Sequence, residues 1–318
     1  MTTDGSATGE VKLGILAWPQ YTDWASLERI GRRVEELGYD SLWTWDHLYP
    51  IVGSPKGPIF EGWSTLTAVG AVTSRIRLGL MVGANTFRNP GLTTKLATTL
   101  DNVSGGRAVL GIGGAWFERE HEAFGIDFGS SVGERLDRLD EAVMLMRRLL
   151  DGERFTHEGR FYRMTDALCE PRPIQAKLPI LIGGSGPRKT LRTAALRADA
   201  WNTSGTVDEV TEKLAILDGH CADVGRDRAE IELTISFPIV IRDDAADAQA
   251  AFDGLLAHNG AEDMGQVPIL LGSPTTVADA LRPYRDLGFR TVIVRLPAPY
   301  DRETIERIGE VDALLADA

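Results

Sequence analysis

The chain is 318 residues long with 34 Lys and Arg against 46 Asp and Glu, a formal charge of -12. That balance excludes the basic footprint needed by a nucleic-acid or anionic-membrane binder. Its 43% apolar and 25% charged residues fit a soluble enzyme with an ample core.

The opening residues 1–10 are polar and lack the basic start and apolar stretch of a secretory signal, so they read as a disordered tail and the protein as cytoplasmic. Residues 11–318 read as a single domain. The first strand is VKLGILA, ending near Trp18, and the helix after it carries Trp24, Leu27, Ile30, Val34 and Leu37 on one face. Gly38 stops that helix. SLWTWD is the second strand and ends at Asp46 and His47. IRLGLMVG follows, ending at Met81, Val82 and Gly83 with Asn85 beyond, and AVLGIG ends at Gly113 and Gly114 before Trp116.

A helix then runs through Leu136, Leu139, Val143, Met146 and Leu149. RFTHEGRFYRM predicts a small hairpin about Glu158 and Gly159. PILIGG, DAWNT, IELTISFPIVI and TVIVRLP complete the strands, with Ser273 and Pro274 starting a helix and Gly288 following it. The stretches 48–62, 151–178 and 242–273 are too long for plain connections. Apolar runs stay far short of the roughly 20 residues of a membrane helix. Cys169 and Cys221 lack metal-site spacing and read as free thiols.

Eight strands alternating with helices predict an α/β fold, the (β/α)8 TIM barrel, with the three long stretches as insertions at its ligand-facing end. Reactive residues then belong at the carboxyl ends of the strands. Asp46 beside His47 is either a carboxylate holding an imidazole for proton transfer or a solvated loop pair. Gly183, Gly184, Ser185 and Gly186 precede a helix opened by Pro187, where converging N–H groups with Arg188 and Lys189 form an anion nest, or else a plain glycine turn. Gly113 and Gly114 let backbone approach a ring closely. Trp18, Trp116 and Trp201 are expected to wall a substrate pocket. Glu118, Glu120, His121 and Glu122 scatter around a helix, so they read as a solvated face and no metal is expected. No dinucleotide fingerprint and no nucleophile elbow is present.

The run RLGLMVGANTFRNPGLTTKLATTLDNVSGGRAVLGIGGAW resembles the signature of the luciferase-like monooxygenase superfamily, in the branch whose members use coenzyme F420. The resemblance implies an F420-dependent oxidoreductase that passes a hydride between the deazaflavin C5 and a small organic substrate. It implies His47 on the substrate side, a non-prolyl cis peptide at Met81–Val82 behind the ring, the Gly183–Gly186 loop on the phosphate of the cofactor tail, and a homodimer. The sugar-phosphate dehydrogenases of this branch carry a catalytic glutamate where this chain has Trp116, which argues against sugar-phosphate oxidation. Two other readings remain: an FMN-dependent monooxygenase supplied by a separate reductase, and a flavin-binding protein without turnover.

Overall fold

The computed structural model describes residues 11–264 and 267–316, so the tail expected at 1–10 lies outside the described residues. The first half of the chain forms β1 (Lys12–Ala17), α1 (Trp24–Glu36), β2 (Ser41–Thr44), α2 (Gly62–Val72), β3 (Arg77–Leu80), β4 (Gly83–Ala84), α3 (Pro90–Ser104), β5 (Ala108–Gly113), α4 (Glu118–Phe124) and α5 (Val132–Leu150). After a hairpin of β6 (Phe155–Glu158) and β7 (Arg163–Ala167) come β8 (Ile180–Gly183), α6 (Thr190–Arg197), β9 (Ala200–Thr203), α7 (Val207–Val224) and β10 (Glu232–Ile241). The last elements are α8 (Ala245–His258), β11 (Leu270–Gly272), α9 (Pro274–Asp286), β12 (Thr291–Leu296) and α10 (Arg302–Ala316).

The strands β12, β1, β2, β3, β5, β8, β9 and β10 pair in that order, all parallel, and β10 closes the ring on β12. These are the eight strands read from the sequence, and the fold is the (β/α)8 barrel. Parallel strands covered by helices are buried on both faces, which is why they read as unbroken apolar runs. The helices bury single stripes: α1 seats Leu27, Ile30 and Val34, its start capped by Asp23 accepting from Ser26 N and its end followed by Gly38 at φ 80°.

Three local departures matter. The strand after β3 breaks at Met81–Val82 and resumes as β4 against β5. The stretch 242–273 contains α8 and the short β11, which pairs with the end of β10; three residues are too few to show a period. Helix α6 begins at Thr190 rather than Pro187, because the Gly186 carbonyl is taken by Leu191 N at 3.1 Å, a wider turn than a helix makes. The predicted hairpin is present as antiparallel β6 and β7. No helix among the described residues is long and apolar enough to cross a membrane.

Candidate active site

A cavity of about 630 Å³ opens at the carboxyl ends of the strands. Trp18, Asp46, His47, Met81, Val82, Gly83, Gly113, Gly114, Trp116, Gly183, Gly184 and Gly186 all line it, so most of the residues singled out from sequence converge. Trp45, Glu120, Asn202 and Arg295 line it as well.

The shelf at the end of β3 explains the glycines. The Met81–Val82 peptide is cis, and the Val82 side chain drops between two strand ends. A Cβ on Gly113 would stand 2.8 Å from one Val82 methyl, and one on Gly183 would stand 2.7 Å from the other. A Cβ on Gly111 would meet the Leu80 carbonyl oxygen at 1.8 Å. Part of the glycine signal, read as room for a ring, is therefore room for the protein's own shelf.

His47 is held by a residue the sequence reading misplaced. Its Nδ1 lies 2.9 Å from Glu120 Oε1, while Glu120 Oε2 accepts the N–H of Leu48 at 2.8 Å. Glu118 and Glu122 are exposed as expected, but Glu120 is 1% exposed and turns inward. Its neighbour His121 is also buried, with Nε2 2.6 Å from Thr86 Oγ1 and Nδ1 2.8 Å from the Phe117 carbonyl, and so anchors the helix. With Nδ1 of His47 engaged by a carboxylate, the network assigns the proton there and leaves Nε2 for exchange.

Asp46 does not orient His47, contrary to expectation. Its carboxylate receives Arg88 through two bonds of 2.6 and 3.0 Å and the N–H of Ala84 at 3.0 Å, tying the end of β2 to the shelf. Arg88 also bonds Glu61 at 2.7 Å. Burial opposes the charge on Arg88, but the two carboxylates outweigh it and raise its pKa.

Four predicted residues are elsewhere. Trp201 is buried in the core and donates its indole N–H to the Gly184 carbonyl at 2.8 Å, so it supports the loop from beneath rather than walling the pocket. Asn85 turns to the hairpin, donating to Tyr162 Oη at 3.1 Å. Ser185 Oγ meets Thr203 Oγ1 at 3.3 Å, and Arg188 is exposed off the cavity wall. The nest is also smaller than expected: Gly184 spends its N–H on the Asn202 carbonyl at 3.2 Å, and Lys189 reaches back to Gly133 O at 2.9 Å and to Asp137. What remains is Gly186 with the following turn, and Gly184 at φ 117°.

Trp116 is 62% exposed, stacks on Phe117 with ring centroids 5.3 Å apart, and presents its edge to His47 at 5.6 Å. The described residues hold no cluster of three or more His, Cys, Asp or Glu that could take a metal ion.

The family model for luciferase-like monooxygenases matches residues 6–291. The chain is 31% identical to an F420-dependent glucose-6-phosphate dehydrogenase of Microbacterium testaceum, over 88% of this chain and 90% of that relative. Among solved structures it resembles the coenzyme F420-dependent tetrahydromethanopterin reductase of Methanopyrus kandleri, with TM-score 0.78, 22% identity and coverage of 95% of this chain and 98% of that one. An F420-dependent secondary alcohol dehydrogenase superposes with TM-score 0.82 at 18% identity, covering 96% and 99% of the two chains. At these identities the structural likeness shows the barrel fold.

Proposed function

The chain belongs to the luciferase-like monooxygenase family, and we propose that it is an F420-dependent oxidoreductase acting on a small organic substrate. The observation that carries the reading is His47 on the cavity wall with Nδ1 fixed by the buried Glu120 carboxylate. The relative in Microbacterium testaceum, named for F420 and aligned along nearly the whole chain, supports the choice of cofactor.

The residues present fit such a group: a backbone shelf at Met81–Val82, a cavity of about 630 Å³, and a glycine loop leading into a helix. The bound deazaflavin supplies a carbon centre that gives or takes a hydride. The shelf residues would support one face of the ring, and Gly186 with the following turn and the Thr190 hydroxyl would receive the tail phosphate. On the substrate side His47 Nε2 takes the hydroxyl proton as an alcohol is oxidised, or returns it when a carbonyl is reduced. Glu120 positions the imidazole and balances the charge it gains. Trp116 stands at the opening beside His47, while the buried Trp18 packs on Trp45 at the cavity wall.

The protein is read as a cytoplasmic homodimer, pairing through its early helices, where α3 leaves Leu92 and Val103 exposed. The reading is tested by mixing the protein with oxidised or reduced F420 and panels of alcohols and carbonyl compounds while following the deazaflavin absorbance. Turnover with at least one panel member, lost in His47→Ala, is expected; equal turnover in the variant would remove His47 from the mechanism.

A further inference from the structure

Arg295 differs from the guanidiniums held by carboxylates or carbonyls, and from the buried Arg135, which lies over the Phe128 ring at 3.7 Å rather than facing the cavity. Arg295 lines the cavity from β12, and among the described residues its one hydrogen-bond partner is Ser236 Oγ, reached by Nε at 3.1 Å and Nη2 at 2.9 Å. By contrast, Arg88 has Asp46 and Glu61, Arg147 has Asp199, and Arg242 has Asp301. Arg107 spreads its donors over Thr73 Oγ1 and the carbonyls of Ser104, Ile76, Gly70 and Thr73.

Ser236 brings no charge. It passes its proton to Asn202 Oδ1 at 3.3 Å, and Asn202 donates in turn to Thr234 Oγ1 at 2.9 Å. A partly buried cation with no carboxylate beside it loses part of its hydration without compensation, and burial lowers the pKa of this guanidinium to about 10. Of the five N–H donors an arginine offers, Ser236 takes two, and the rest are left for an occupant of the cavity.

Strand order indicates which occupant. β12 stands between β10 and β1, with Arg295 the register partner of Pro238 and Leu16, so it adjoins the strands carrying Trp18 and His47 and lies three strands from β3 on one side and three from β8 on the other. The Met81–Val82 shelf and the two glycine loops come from β3, β5 and β8 on the next arc. The His47 arc is the substrate side in the function proposed above, on which this inference rests. Arg295 is also the one Lys or Arg among the described wall residues, which include the acidic Asp46 and Glu120. A single planar fork matches a planar monoanion through two parallel bonds, whereas a phosphate dianion would keep an unmatched charge.

We infer that the substrate carries a carboxylate, and that Arg295 binds it two-pronged while His47 serves the carbon that exchanges the hydride.

Calorimetric titration of the protein, with and without F420, by benzoate, its uncharged analogue benzamide and inorganic phosphate tests this. Benzoate is expected to bind about tenfold or more tighter than benzamide and phosphate, with that preference gone in Arg295→Gln. F420 affinity should stay within about twofold in the variant, since the tail and shelf contacts are untouched. Arg295→Gln should melt at or above the wild-type temperature, because it removes a partly buried charge that no carboxylate offsets, and this shows that it folds. Equal binding of benzoate and benzamide, or a preference for phosphate, overturns the inference. So does a tenfold loss of F420 affinity in Arg295→Gln, which would give the guanidinium to the cofactor ring. Failure of the wild type to bind F420 would count against the proposed function instead, and the cofactor-free titration still decides the carboxylate.

Discussion

Glu120 Oε1 sits 2.9 Å from His47 Nδ1 although 73 residues separate them, and its other oxygen holds the Leu48 N–H. One buried carboxylate thus fixes both the imidazole and the loop that carries it. Glu120→Gln should lower kcat by about 10- to 100-fold, and His47→Ala by about 100-fold or more. The pH profile of kcat should move in Glu120→Gln while F420 affinity holds. Because the two act as a unit, the double variant should be no slower than His47→Ala alone. Fully additive losses would show that Glu120 acts by another route.

Val82 fills the space that Gly113 and Gly183 leave open. Gly183→Ala should therefore destabilise the fold by about 1 to 3 kcal/mol through overpacking. Shortening the opposing side chain should relieve it: Gly183→Ala in a Val82→Ala background should cost clearly less. Denaturant unfolding of the four proteins of the cycle measures the coupling, and independent costs would refute the packing account.

Acid should weaken the fold through specific carboxylates. Burial raises Glu35, but the N–H groups of Arg75, Ser74 and Ile76 outweigh it, so its pKa lies below the ordinary 4.5. In Asp301 burial is likewise outweighed, by Arg242 and Thr304, which place it below the ordinary 3.8. Groups depressed on folding contribute stability that is present above their unfolded values and lost as pH falls through the folded ones. Melting temperature should hold as pH drops from neutrality toward 4.5 and fall below that, and Glu35→Gln should reduce the fall. A melting temperature indifferent to acid in the wild type would contradict the assignment.

Two of the three tryptophans predicted to wall the pocket, Trp116 and Trp201, should separate cleanly. Trp116 is exposed and in edge contact with His47, and is proposed to wall the substrate. Trp116→Ala should alter KM and widen substrate choice with stability unchanged. Trp201 donates to Gly184 from the core, so Trp201→Phe should cost about 1 kcal/mol of stability through the lost hydrogen bond. Steady-state kinetics and thermal melts of the pair decide between the two roles.

The barrel was legible because buried parallel strands leave apolar runs and the helices between them leave a 3.6-residue period, both visible in a single sequence. His47 and the glycine loops were legible because strand ends line the cavity in this architecture, whereas the Met81–Val82 shelf was expected from the family resemblance alone. Partnership was not. Asp46 adjoins His47 in sequence, yet successive residues at a strand end diverge, and its carboxylate pairs with Arg88. Glu120 and Arg295 acquire their meaning only from burial, which composition does not record. Trp201 ends up beneath the site for the same reason: alternation along β9 decides its side.

We propose that the mouth of this barrel is built for a deazaflavin. Titrating cofactor-free protein with F420 and with FMN under one set of conditions, by fluorescence, tests it most directly. F420 should bind at least about tenfold more tightly than FMN, a difference of about 1.4 kcal/mol. Equal affinities, or a preference for FMN, would contradict the account.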